Sequence, residues 1–169
     1  VIEANNVGGV GGGINVNNFG TGSTSITVNG TLDVTGRQGI TLGNSASAKD
    51  IVVTTRGAVT SGATAIAISN QGSGRTIVTA EGQLLSNNVR PQDAEVSGNG
   101  MNITTGGSAG DVIANVAGVE GRAGILIRNG GIGSTSLTAT GLVRGREGRG
   151  VEITAAASAG DIVVQLAAV

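Results

Sequence analysis

The stretch Ser23-Thr-Ser-Ile26-Thr-Val28-Asn-Gly30 decides the fold, because the chain writes variants of it five more times. Asp50-Ile-Val-Val53-Thr-Thr55-Arg-Gly57, Arg75-Thr-Ile-Val78-Thr-Ala80-Glu-Gly82 and Asp111-Val-Ile-Ala114-Asn-Val116-Ala-Gly118 keep its order of polar opening, alternation and closing glycine. Ser134-Thr-Ser-Leu137-Thr-Ala139-Thr-Gly141 and Asp161-Ile-Val-Val164-Gln-Leu166-Ala-Ala168 complete the set, the last with alanine in the glycine place. Successive glycines lie 27, 25, 36 and 23 residues apart. A second short run follows each glycine: Ile40-Thr-Leu42, Ile66-Ala-Ile68, Met101-Asn-Ile103, Ile125-Leu-Ile127 and Val151-Glu-Ile153, with Ile14-Asn-Val16 ahead of them. From the start of each such run to the next polar opening is always 9 or 10 residues.

Period-two alternation in short runs broken by Gly, Asn and Ser is the signature of strands. No helical period of useful length survives between the glycines, which argues against βαβ units and leucine-rich repeats. A unit of two or three short strands has one apolar face that it cannot bury alone, and stacking copies supplies the partner. The expected fold is therefore all-β, a right-handed parallel β-helix of about six rungs, each of roughly 23–27 residues. Residues 1–169 form a single β-helix segment that opens mid-pattern and stops inside a strand-like run, as a fragment of a longer chain would.

The register fixes which side chains face inward. Ile26, Val53, Val78, Ala114, Leu137 and Val164 should form one internal stack, and Val28, Ala80, Val116, Ala139 and Leu166 another, with Thr55 a polar intruder in it. Ile40, Ile66, Met101, Ile125 and Val151 form a third, and Leu42, Ile68, Ile103, Ile127 and Ile153 a fourth. Thr27, Thr54, Thr79, Asn115, Thr138 and Gln165 form an outward ladder.

Composition fits a narrow stacked tube. The chain holds 32 Gly, one Pro, one Phe and no Trp or Tyr, so large rings do not fill the interior. The glycines lack the three-residue period of collagen. An apolar content of 38% with a net charge of −1 argues against ordinary disorder. That charge, without a basic stripe interleaved with aromatics, gives nucleic acid no footprint. The uncharged stretch from Ala4 to Leu32 is too crowded with Gly, Asn, Ser and Thr for membrane insertion. With neither His nor Cys, a Ser-His-Asp site and thiolate chemistry are excluded, and no cofactor or metal site is expected.

Three features stand out from the repeat. Asp50, Arg75 and Asp111 occupy the polar opening of consecutive rungs and should form an ionic ladder, a surface salt-bridge column worth about 0.2–1 kcal/mol per pair. Arg122, Arg144, Arg146 and Arg149, with Glu147 among them, crowd the last rungs and could contact a glycan or other acidic partner; solvated turn residues are the plainer reading. The 36-residue spacing hides an inserted loop at 86–99, with Arg90, the only proline (Pro91), Asp93 and Glu95. Insertions in solenoids map to loops on one face, where contacts with partners concentrate. Ser-Ala-X-Asp recurs at Ser47, Ser108 and Ser158, with the Ser or Asp expected to order a turn through backbone bonds.

Gly-Ser-Thr-Ser-Ile-Thr-Val-Asn-Gly-Thr-Leu at 22–32, its echo at 133–143 and the Gly-Ile-X-Leu/Ile runs at 39–42 and 124–127 resemble an autotransporter passenger domain of Gram-negative bacteria. The resemblance covers almost all of 13–169 and lies in degenerate motifs. It implies export through a C-terminal β-barrel and display or release at the cell surface, with no catalytic residues to carry over. The expected role is a non-catalytic stalk or adhesin segment, contacting a host-cell surface, a glycan or another copy of itself. Two other readings stand beside it: a self-assembling surface filament, and a carbohydrate-active β-helix of the tailspike or lyase kind. The latter needs clustered acids and usually aromatic platforms.

Overall fold

Every second side chain of a strand points to one side, so runs of the form Thr-Ser-Ile-Thr-Val bury three residues and expose two. The computed structural model describes residues 1–87 and 98–168. In it these runs coil into a parallel β-solenoid of about six turns, all-β, as the repeat predicts. The first face stacks Ile2–Ala4, Thr24–Val28, Ile51–Thr55, the leading parts of Thr76–Ser86, Val112–Gly121 and Thr135–Gly145, and then Ile162–Ala168. The second stacks Val7–Gly9, Leu32–Val34, Val59–Ser61 and the trailing parts of the same three long strands. The third is a separate six-stranded sheet of Ile14–Asn18, Ile40–Asn44, Ile66–Asn70, Met101–Thr105, Ile125–Asn129 and Val151–Ala155.

The four internal stacks form in the expected register. Ile26 pairs with Val53, Val53 with Val78, Val78 with Ala114, Ala114 with Leu137 and Leu137 with Val164. The first five of these are buried, and exposure returns at the last level, where Val164 is 42% exposed. Thr55 sits in its column as the polar intruder, fully buried and with no partner for Oγ1. Burying an aliphatic side chain contributes about 1.5–3 kcal/mol, so the columns dominate the stability.

A fifth column was not anticipated. Leu32, Val59, Leu84, Val119 and Val143, each one or two places after a repeat glycine, line the second face from inside and are all buried. The glycines ahead of them mark the corner between first and second faces. A Cβ built on Gly57 would overlap the carbonyl oxygen of Gly30, and one on Gly82 would overlap the backbone of Gly57. Close approach of stacked backbones, rather than left-handed dihedrals, is what demands glycine here. The glycine column is not continuous: Gly118 pairs with Gln83, and Ala168 pairs with Leu142 rather than Gly141. A one-residue slip in the corner accounts for both.

The corner between third and first faces comes in two kinds that alternate level by level. Asn18, Asn70 and Asn129 open the segments Asn-X-Gly-X-Gly-X-Thr, and Asn70 and Asn129 are buried. The Asn129 amide donates to Thr135 Oγ1 at 3.0 Å and Gly133 O at 2.9 Å, while its Oδ1 accepts from the Gly131 amide at 2.9 Å. Asn18 and Asn70 repeat all three bonds. The levels between carry the one-residue-longer Ser-Ala-X-Asp corner, closed by the amides of Ala48, Ala109 and Ala159 bonding three residues back. The inward column that follows alternates in step: Thr24, Ile51, Thr76, Val112, Thr135.

Candidate functional site

The two ends of the inserted segment and the late arginines, far apart in sequence, meet at the corner between second and third faces. Parallel stacking brings the turns after residues 34, 61, 86, 121 and 145 into one column. The insertion leaves and rejoins the solenoid there: the Asn87 amide donates to Ser61 O at 2.7 Å, and Gly98 O accepts from the Arg122 amide at 2.7 Å. Asn99 O accepts from the Ala65 amide at 3.2 Å. Arg90, Asp93 and Glu95 lie outside the described residues.

Glu120 organises the arginines around this corner. It stands on the second face directly under Arg144 in register, and its side chain is only 19% exposed. Arg146 Nε donates to Glu120 Oε1 at 2.7 Å, and Arg144 Nη1 lies 3.9 Å from the same oxygen. The Arg146 hydrogen bond holds the Glu120 carboxyl below the usual carboxylate range; desolvation opposes this, and the charges of Arg146 and Arg144 add to it. Arg146 also reaches Ser86 O at 3.4 Å, the carbonyl at the start of the insertion. Arg122 pairs with Glu147 at 3.5 Å, and Arg149 with Glu152 at 2.7 Å. The surface thus carries four arginines and three glutamates in ionic groups of both signs, rather than a bare basic patch.

Glu147 was legible beside the arginines, whereas Glu120 and Glu152 were not. Their signal was positional: each becomes a partner only when the neighbouring turn is laid over it.

The ionic ladder forms at its first step. Arg75 Nη2 lies 3.8 Å from Asp50 Oδ2, with side chains 54% and 34% exposed, so the pair is worth little by itself. Its firmer bond is from the Arg75 backbone amide to Asp50 Oδ1 at 2.7 Å. Asp111 stands above Arg75 in the column, but its Oδ1 accepts from the Ser134 amide at 2.9 Å on the following level. Both carboxylates act as acceptors for the next turn, while their own corners are closed by the backbone amides of Ala48 and Ala109.

Among the described residues no group of three or more His, Cys, Asp or Glu could hold a metal ion. No described helix is long and apolar enough to cross a membrane. The chain matches no family model, no curated protein and no solved structure in the comparisons made.

Proposed function

We propose that this chain is a non-catalytic stalk and adhesin segment of an autotransporter passenger, displayed or released at the bacterial surface. The observation that carries the reading is the convergence of the insertion stem with the Glu120, Arg144 and Arg146 mesh on one corner of a repetitive rod. A solenoid of near-identical turns is a spacer by construction, since each turn contacts only its neighbours. Contact with a host surface or glycan is assigned to the corner where the repeat departs from itself.

The test is adhesion of cells displaying the protein, with 88–97 replaced by a short Gly-Ser linker and, separately, with Arg122, Arg144 and Arg149 changed to Gln. Expected is a retained β signature in circular dichroism with reduced adhesion in both variants. Unchanged adhesion in both would overturn the assignment to this corner.

A further inference from the structure

The outward side of the first face has a symmetry that no single turn requires. Its central column reads Ser25, Val52, Ile77, Ile113, Ser136 along the rod axis. Reversed, it keeps the same order of polar and apolar residues, with Ile77 at the middle. The neighbouring outward column, Thr27 to Thr138, also reads alike in both directions, with Asn115 opposite Thr54. The rim column has the sequence Ser23, Asp50, Arg75, Asp111, Ser134, minus–plus–minus about Arg75. All three columns are symmetric about one level, that of residues 75–79.

We propose that this face is a self-recognition surface, on which a second copy of the chain docks with its rod axis reversed. A twofold axis lying along the strand of residues 76–80 brings Ile77 against its own copy. It sets Val52 against Ile113 of the other copy and Thr54 against Asn115. An isologous contact requires such a self-complementary patch, in which residue i meets j and j meets i. The uncharged centre of the face agrees with it. Over these five levels the two face columns carry no charged residue, while the outward side of the second face carries Asp33, Glu120 and Arg144, and that of the third carries Arg128 and Glu152. Charged residues are depleted at interface centres because burying them unpaired is costly. At the rim the same operation sets Arg75 against its own copy and Asp50 against Asp111, so like charges meet there and weaken the contact.

Size limits the strength. Five levels at about 4.8 Å and five residues at about 3.3 Å give a patch of roughly 400 Å² per partner. The total falls below the ~1,200 Å² of stable complexes, so the dimer is weak and concentration-dependent. The inference rests on the solenoid register and not on the adhesive reading, and purified protein tests it alone.

Sedimentation equilibrium of the purified chain over a wide concentration range is expected to show monomer and dimer. Ile77→Lys sets two like charges face to face and should weaken dimerisation by roughly tenfold or more. Val52→Glu or Ile113→Lys alone should weaken it too, and the two together should restore it, because Glu then faces Lys across the axis. Circular dichroism of each variant reports that the fold is kept, as expected for outward positions. A strictly monomeric wild type, an Ile77→Lys variant that dimerises as before, or a double variant without rescue would each overturn the proposal.

Discussion

The Asp111 carboxylate accepts the backbone amide of Ser134 at 2.9 Å, one turn further along the rod, as Asp50 accepts that of Arg75 at 2.7 Å. These are side-chain bonds running in the direction of the sheet ladder, and they close the gap where a corner interrupts it. A charge-assisted bond is roughly twice as strong as a neutral one. Asp111→Ala should therefore cost about 1.5–3 kcal/mol in urea unfolding, and Asp111→Asn less. Equal loss from both substitutions would show that charge contributes nothing to the bond.

Removing Asn70 should be worse. Its amide and carbonyl serve Thr76 Oγ1, Gly74 O and the Gly72 amide, and both Asn70 and Thr76 are fully buried. Asn70→Ala strands those groups at about 1–3 kcal/mol for each one left unsatisfied. Asn115→Ala, on the exposed outward ladder, should stay within about 0.5 kcal/mol. Thermal melts of the two variants make the comparison.

Thr55 offers the opposite case. Its hydroxyl is buried without a partner in a column otherwise filled by Val28, Ala80, Val116 and Ala139. Thr55→Val keeps the shape and removes the unsatisfied group, so it should stabilise the protein by about 1 kcal/mol. A lower melting temperature would mean that the hydroxyl is satisfied in solution.

Leu137 is fully buried between Ala114 and Val164. Leu137→Ala should cost about 2–5 kcal/mol by leaving a cavity, whereas Thr138→Ala, one residue on but facing outward, should cost far less. Chemical denaturation of the pair checks the inward register directly.

Acid should loosen the insertion corner through Glu120. Its folded pKa lies below the unfolded value, so its contribution is fully present above the unfolded value and is lost as pH falls through the folded one. Stability measured from neutral pH into the acid range should fall less steeply in Glu120→Gln than in the wild type. Raising the salt concentration should narrow the difference, since the partners are partly exposed. Identical pH profiles would remove Glu120 from that role.

The columns through Ile26 and Ile40 were legible because their strands alternate for five residues and each repeat closes on glycine. The Leu32 column was not, since strands such as Leu32–Val34 and Val59–Ser61 are three residues long and three residues hold no period. Nothing in the sequence sets Asn70 and Asn129 apart from the other asparagines; only the neighbouring turn, stacked on top, takes them out of water. The pairing of Glu120 with Arg144 and Arg146 depends on a register slip between Val116 and Val119, which no spacing in the sequence displays.

The two kinds of corner give the rod a parity. An Asp corner hands its carboxylate to the amide of the Asn corner that follows, as Asp50 does to Arg75 and Asp111 to Ser134. Excising a turn with an Asp corner would set two Asn corners in succession and leave that amide with nothing beneath it. Duplicating a turn with an Asp corner would stack two Asp corners and offer a carboxylate where no amide waits. The neutral step for lengthening or shortening such a protein is therefore the doublet, and rods of this pattern should differ between variants by even numbers of turns.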